Sequence, residues 1–130
     1  MCLYFGVCIN IQRFSRLLNV SAHTIRYYEK IGVLRHVARN ASGHRFFTSK
    51  DLDWMAFVQR LKDMGMPLDK IKHYADLREQ GDVTAELRKQ LLQEHVALIE
   101  AKIALETEHL EKIKDKILYY DQLIHQAVKA

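Results

Sequence analysis

The side chains best suited to chemistry cluster in residues 20–32, which read VSAHTIRYYEKIG. Ser21 can cap a helix, residues 22–30 can form it, and Gly32 can end it. On such a helix Arg26 and Tyr28 are predicted to point outward, whereas Ile25 faces a core. A short helix that presents Arg and Tyr is typical of a DNA recognition helix.

Basic charge is concentrated around this helix. The chain of 130 residues has 20 Lys and Arg against 16 Asp and Glu. In residues 11–50 the only acidic residue is Glu29, and the basic residues are Arg13, Arg16, Arg26, Lys30, Arg35, Arg39, Arg45 and Lys50. This distribution indicates a surface that faces phosphates, and a solvated basic face without a partner is the alternative.

Two neighbouring segments would position the helix. Asn10 can cap a preceding helix that runs through Leu18, with an apolar side formed by Ile11, Phe14, Leu17 and Leu18. Asn19 then supplies the turn, because Asn tolerates the left-handed conformation. The pattern predicts a helix-turn-helix unit.

Residues 33–48 predict a short hairpin, or wing, with a turn at residues 40–43. Arg39 and Arg45 would lie near its tip and base and could contact a DNA backbone; an ordinary surface loop is the alternative.

Two more helices follow in residues 48–79. A capping box at Thr48 and Asp51 begins the first, and Pro67 opens the second. Trp54 and Tyr74 in these helices are interpreted as packing residues rather than cofactor contacts.

Residues 84–125 contain no Gly or Pro and predict one long helix of roughly 60 Å. Apolar residues alternate at spacings of four and three, which is a heptad seam. Only Glu106 interrupts it; Glu106 could set the register, pair with a lysine across the interface, or be merely tolerated. The rest of the chain could not cover the seam, so the simplest partner is a second copy. The predicted dimerisation residues are Leu92, Val96, Ile99, Ile103, Leu110, Ile113, Ile117 and Tyr120, and the seam extends to Ile124.

Other classes of site are not expected. Cys2 and Cys8 do not make a disulfide framework or a zinc knuckle, and the seven histidines form no metal-binding pair. His95 and His109 are expected at helix surfaces. We therefore expect no catalytic residues, no metal and no cofactor, and a protein that is not an enzyme. No run is long enough for a membrane span, and a soluble cytoplasmic protein is expected.

Taken together, these segments resemble the MerR family of transcriptional regulators. The resemblance covers residues 9 to about 124 and rests on VSAHTIRYYEKIGVL, on ASGHRFFTSKDLDWMAFVQRLKDMGM, on PLDKI and on the long helix, in that order. Residues 51–82 are most similar to the aldehyde- and thiol-stress-responsive branch, the NmlR/AdhR-like regulators. The resemblance implies a homodimer that binds double-stranded promoter DNA and distorts an overlong spacer, so that RNA polymerase can align with both promoter elements.

The resemblance also implies roles for single residues. Arg26 matches the family's arginine on the recognition helix, Tyr28 its second tyrosine, placed to contact the DNA backbone, and Arg45 its wing arginine. His44 stands where tyrosine is usual and could donate to phosphate with some pH sensitivity, whereas Phe47 replaces a common tyrosine and suggests packing. Tyr27 remains open between core packing and DNA contact. The predicted DNA-binding set is Ser21, His23, Thr24, Arg26, Tyr27, Tyr28, Arg39, His44 and Arg45.

Two departures from the family bear on the signal. No cysteine follows Cys8, so the thiolate site of the metal-sensing members is absent. Residues 59–61 stand where aldehyde-responsive members often carry a reactive cysteine, which excludes covalent sensing at that position. Cys2 and Cys8 remain either oxidant sensors or incidental residues.

The predicted fold class is all-α with a small β wing: a winged helix-turn-helix domain followed by a long dimerisation helix in an antiparallel coiled coil. The predicted segments are an N-terminal extension at 1–9, the DNA-binding domain at 10–79, the dimerisation helix at 83–125 and a tail at 126–130. The predicted function is a DNA-binding transcriptional regulator in an aldehyde or oxidative stress response. The alternative is a coiled-coil scaffold whose N-terminal domain binds protein rather than DNA.

Overall fold

A computed structural model describes residues 8–129 of the protein. These residues form five α-helices and one two-stranded antiparallel sheet, which confirms the predicted class of a helical protein with a small wing. The helices are α1 (Ile11–Leu18), α2 (Ala22–Lys30), α3 (Ser49–Asp63), α4 (Leu68–Glu79) and α5 (Ala85–Lys129); the strands are β1 (Ala38–Arg39) and β2 (Arg45–Phe46); and a single 3₁₀ turn spans Asp82–Thr84.

Local capping signals place the helix ends. The side chain of Asn10 accepts a hydrogen bond from the Arg13 amide at 2.9 Å, and Ser21 does the same for Thr24 at 3.1 Å. Asn19 adopts the predicted left-handed conformation, with φ of 54°. Thr48 forms the predicted capping box at the start of α3. Each cap satisfies an amide that the first helical turn leaves without an intrahelical partner.

A small core holds the helices and the wing together. The ring of Phe47 after β2 stacks on that of Phe14 in α1, with centroids 4.1 Å apart, and both side chains are fully buried. Ile9 pairs with Phe47 in an antiparallel bridge, so the residue just before the N-cap of α1 extends the wing. Leu17 was expected on the apolar side of α1, but its side chain is more than half exposed. Phe14 and Leu18, four residues apart, point to the core, and Leu17 falls beside that stripe.

The structure consists of two compact units, and the division between them falls within α5 after Leu91. The second unit begins at Leu92 and is entirely helical up to Lys129. Its side chains are almost all exposed, including His109. His95 was expected at the surface too, but it is buried, because the apolar body of an imidazole can pack while its nitrogens keep polar contacts. No helix among the described residues is long and apolar enough to cross a membrane.

Cys8 lies at the start of the described residues and is disulfide-bonded. A single disulfide is less than the disulfide framework that the sequence excluded, and the sequence did not predict it. Cys2 lies outside the described residues. Within the described part of the chain, no three His, Cys, Asp or Glu side chains are grouped so that they could hold a metal ion.

Candidate DNA interface

Helix α2 presents one polar face and one buried face. Ile25 is fully buried, while Arg26 is exposed and Tyr27 is 45% exposed. Exposure removes core packing as the role of Tyr27, which the sequence had left open. Among residues 8–129, the structure gives Arg26 no hydrogen-bond or ion-pair partner, so its guanidinium can bind an external anion without giving up an internal contact.

The predicted outward orientation of Tyr28 is wrong. Its side chain is 2% exposed, because Tyr28 lies three residues after Ile25 and shares its face of the helix. The ammonium group of Lys62 in α3 lies 5.5 Å from the centre of the Tyr28 ring. Tyr28 therefore packs α2 against α3 from the buried face of α2, opposite the face that presents Arg26.

The beginning of α2 gathers small polar side chains. Ser21 Oγ accepts from the Thr24 amide and lies 2.9 Å from Thr24 Oγ1, so these two hydroxyls are largely used within the cap. His23 is exposed beside them. Amides at a helix N-terminus carry partial positive charge, which makes this end of α2 compatible with a phosphate.

The wing is a tight hairpin with a defined turn. Ala38 pairs with Phe46, and Arg39 pairs with Arg45. Asn40 Oδ1 accepts from the amides of Ser42 and His44 at 3.0 and 2.9 Å. Gly43 has φ of 80°, a conformation that side-chain-bearing residues rarely adopt. The two arginines, predicted near tip and base, instead lie directly opposite each other on the paired strands.

Glu29 of α2 binds both wing arginines. Its Oε2 accepts from Arg45 Nε at 2.6 Å, and its Oε1 accepts from Arg39 Nη2 at 3.2 Å. The Glu29 side chain is 24% exposed, so these charge-assisted bonds are partly shielded from water. The sequence showed Glu29 only as the single acid in a basic region. Its position one helical turn from Arg26 was visible, but its partners depend on how the wing folds back.

The two wing arginines differ in how many guanidinium nitrogens already donate within the protein. Arg39 donates through Nη1 to the Gly43 carbonyl at 3.0 Å and through Nη2 to Glu29, so both terminal nitrogens hold the turn. Arg45 donates to Glu29 through Nε alone, and its terminal nitrogens have no acceptor among the described residues. A guanidinium fixed at Nε with both ends open is well prepared for bidentate binding of a phosphate.

A cleft of about 470 Å³ lies between α2, the wing and the start of α1. Arg26, His44 and Arg45 line it, together with Asn10 and Asn40. None of the described residues that line it is acidic. The cleft thus brings together the exposed arginine of the recognition helix and the open arginine of the wing, which the sequence placed 19 positions apart. Its charge and its amide groups suit it to a polyanionic backbone.

Two protein-family models match the chain. A MerR HTH family regulatory protein model covers residues 9–77, and a MerR DNA-binding model covers residues 52–116. The first spans the two helices and the wing described above, and the second runs from α3 into α5.

Three known proteins resemble the chain over most of its length. An uncharacterised HTH-type transcriptional regulator of Haemophilus influenzae is 36% identical over 105 residues, or 81% of this chain and 78% of that protein. The HTH-type transcriptional regulator AdhR of Bacillus subtilis is 32% identical over 84 residues, or 65% and 60%. The crystal structure of HiNmlR, described as a MerR family regulator lacking the sensor domain and bound to promoter DNA, superposes with a TM-score of 0.78 at 33% identity, covering 89% of this chain and 92% of that one.

Proposed function

Because the chain belongs to the MerR family of DNA-binding transcriptional regulators, we propose that it binds a promoter through the cleft between α2 and the wing. One observation carries this proposal: Arg26 and Arg45 line the same cleft. Arg26 is exposed and has no partner among the described residues, and the terminal nitrogens of Arg45 have no acceptor there. In this arrangement Arg26 reaches a base edge or phosphate, and Arg45 and His44 bind the flanking backbone. Residues 10–79 form the DNA-binding domain in this proposal.

In this proposal some residues of the predicted DNA-binding set contact DNA directly, and others hold the interface in place. The start of α2, with Ser21, His23 and Thr24, lies against a phosphate, and Tyr27 contributes its exposed ring. Arg39 acts mainly by holding the turn, since both of its terminal nitrogens are used. Tyr28 is buried, so it positions α2 by packing and does not contact DNA.

A homodimer through α5 is part of the proposal. The apolar seam residues from Val96 onward are at least half exposed in the single chain, apart from the half-buried Ile99. A row of exposed apolar side chains at heptad spacing is stabilised by a second helix that covers it. A second copy in antiparallel orientation provides the same row, and residues 83–125 are the proposed dimerisation segment.

Two DNA-binding domains joined by one coiled coil also suggest how transcription is controlled. The contacts at two half-sites offset the cost of bending and untwisting the DNA between them, which is on the order of several kcal/mol. The distorted spacer is then presented to RNA polymerase. The setting we propose is an aldehyde or oxidative stress response, supported by the NmlR/AdhR-like sequence of residues 51–82. Residues 59–61 of α3 include no cysteine, so this proposal places no covalent thiol sensing there.

Substitution of Arg26 tests the DNA-binding proposal. Arg26→Ala is expected to weaken binding to the cognate promoter by about ten- to a hundredfold, the loss of one good base or phosphate contact. Lys112→Ala, an exposed cation on α5, is the control and should change affinity little. Affinity is measured by fluorescence anisotropy, with the dimer checked by sedimentation. Unchanged promoter affinity in Arg26→Ala would reject this recognition surface.

A salt titration separates the regulator from the scaffold alternative. Phosphate contacts release counterions, so the logarithm of promoter affinity should fall steeply and linearly with the logarithm of salt concentration. A scaffold that binds protein would show only weak affinity that is the same for promoter and random DNA. Equal affinity for both DNAs would favour the scaffold.

A further inference from the structure

A second cleft, separate from the DNA-facing one, opens where α3, α4 and the first turn of α5 meet. Its volume is about 430 Å³, within the range of small-molecule sites. Three aromatic rings from α3 and α4 and three cationic side chains line it, with one carboxylate, that of Asp53. The DNA-binding proposal uses none of these residues.

The aromatic part is a packed cluster. The rings of Trp54 and Tyr74 stack with centroids 5.9 Å apart and planes inclined by 15°. Phe57 lies 6.1 Å from Trp54 and 5.7 Å from Tyr74. The indole N–H of Trp54 donates to the Val33 carbonyl at 2.9 Å, which fixes the ring. Phe57 and Tyr74 are only half-buried, so they can still pack against an apolar guest.

The cationic part surrounds this cluster. The Arg78 guanidinium lies over the Trp54 ring, 4.2 Å from its centre, and its side chain is exposed. Lys50 lines the same cleft from the first turn of α3. Three cations against one carboxylate leave the cleft with positive formal charge.

Arg88 supplies the most specific signal. Its Nη2 donates to the Gly81 carbonyl at 3.3 Å and lies 3.8 Å from Asp82, both long contacts. Its Nε–H is buried and has no acceptor among the described residues. A buried donor of a charged group without an acceptor is costly, and an anion held against the Arg88 guanidinium in the cleft offsets the charge that the buried Nε–H leaves uncompensated.

We propose that this cleft binds a small aromatic carboxylate. Its ring packs against Phe57 and Tyr74, and its carboxylate accepts from Arg88 and is held by Arg78 and Lys50. Aromatic and anionic character are both required, because the rings alone would take any apolar molecule and the cations alone any anion. The site joins two helices of the DNA-binding unit to the first turn of α5 without using the DNA-facing cleft.

Trp54 is the chain's only tryptophan, so its fluorescence reports on this cleft without a label. The experiment titrates the full chain, without DNA, with benzoate as the probe. We expect a saturable change in Trp54 emission, with half-saturation on the order of millimolar for a ligand of this size. Benzyl alcohol supplies the ring without the charge, and acetate and inorganic phosphate supply charge without the ring. All three should give no saturable change.

Two substitutions locate the binding. Arg88→Gln should weaken benzoate binding by about tenfold or more, the loss of a charge-assisted hydrogen bond. Lys89→Gln removes the same charge from the neighbouring, exposed position of α5 and should leave binding unchanged. If circular dichroism shows that Arg88→Gln does not fold, Arg88→Lys replaces it, since lysine keeps the charge but lacks the planar fork.

The proposal is overturned by any of three results: no saturable response to benzoate, an equal response to benzyl alcohol or phosphate, or equal weakening by the Arg88 and Lys89 substitutions. Because no DNA is present, each result is independent of whether the chain binds a promoter.

Discussion

Glu29 and Arg45 are joined by a hydrogen bond of 2.6 Å between Oε2 and Nε, across the gap between the recognition helix and the wing. Arg39 binds the other carboxylate oxygen, so one acidic side chain holds both wing arginines. In the proposed DNA interface, a carboxylate weakens the electrostatic attraction for phosphates. We therefore expect Glu29 to act by orienting the wing, which must matter more than one additional unit of positive charge.

Glu29→Gln tests this directly, because charge and orientation predict opposite signs. Removing the carboxylate makes the interface more positive, which by charge alone would tighten binding to any DNA. If Glu29 positions the wing, binding to the cognate promoter instead weakens by about five- to tenfold, the value of two partly exposed ion pairs. Binding to random DNA should stay equal or rise. Glu108→Gln on α5 is the matched control, and tighter promoter binding in Glu29→Gln would contradict the positioning role.

The two wing arginines should respond differently to truncation. Arg45→Ala removes open terminal nitrogens, so we expect weaker promoter affinity and a salt slope that is smaller by about one phosphate contact. Arg39→Ala removes the bond to the Gly43 carbonyl and should chiefly loosen the turn, with a smaller loss of affinity and an almost unchanged salt slope. Anisotropy titrations at a series of salt concentrations measure both quantities. Equal slopes in the two variants would show that the hydrogen bonds of Arg39 do not exclude it from DNA.

The stacked pair of Phe47 and Phe14 is the buried apolar contact between the wing and α1. Phe47→Ala would leave a cavity against Phe14, and we expect a loss of about 3–5 kcal/mol in the free energy of unfolding. Phe47→Leu refills part of the space and should lose clearly less. Urea unfolding followed by circular dichroism measures both. Similar losses for the two variants would contradict this, because refilled volume would then not help and the ring stacking itself would carry the effect.

Local signals explain which parts of the fold the sequence predicts. The caps at Asn10 and Ser21 and the capping box at Thr48 each join residues three apart, so short-range spacing is enough to place those helix ends. The heptad seam is equally local. The orientation of Tyr28 was mistaken although its spacing held the signal: Tyr28 lies three residues after Ile25, which was already assigned to the core, and so shares its buried face.

The part of the interface that the sequence missed consists of contacts between distant residues. Glu29 bonds to Arg45 across 16 positions, and that bond exists only after β1 and β2 have paired in the observed register. Arg39 and Arg45 were assigned to DNA by charge and by position in the hairpin. No residue pattern shows which guanidinium nitrogens the protein already uses.

Acid should weaken the attachment of α4 to the segment after α2. His36 Nε2 lies 2.6 Å from Glu79 Oε1, and this hydrogen bond lowers the pKa of Glu79, with smaller contributions from nearby positive charge. A lowered pKa in the folded state contributes stability that is present above the ordinary value of 4.5 and is lost as pH falls through the folded value. We expect His36→Gln to reduce the free energy of unfolding near neutral pH. We also expect the decrease of that free energy below pH 4.5 to be shallower than in the unmodified protein. Urea unfolding at a series of pH values measures this, and parallel curves for the two proteins would contradict the coupling.

Glu106 is the one charged residue in the proposed dimer seam, between Ile103 and Leu110. In an antiparallel coiled coil it would be largely removed from water, which is costly for a carboxylate without a close partner. Glu106→Leu is therefore expected to raise the free energy of unfolding of the dimer by about 1–3 kcal/mol. The measurement is urea unfolding at several protein concentrations, with Glu108→Leu as a control on the outer face of the same helix. Lower stability in Glu106→Leu would instead show that Glu106 pairs with a lysine across the interface, and a change in sedimentation from dimer to a higher species would show that it sets the register.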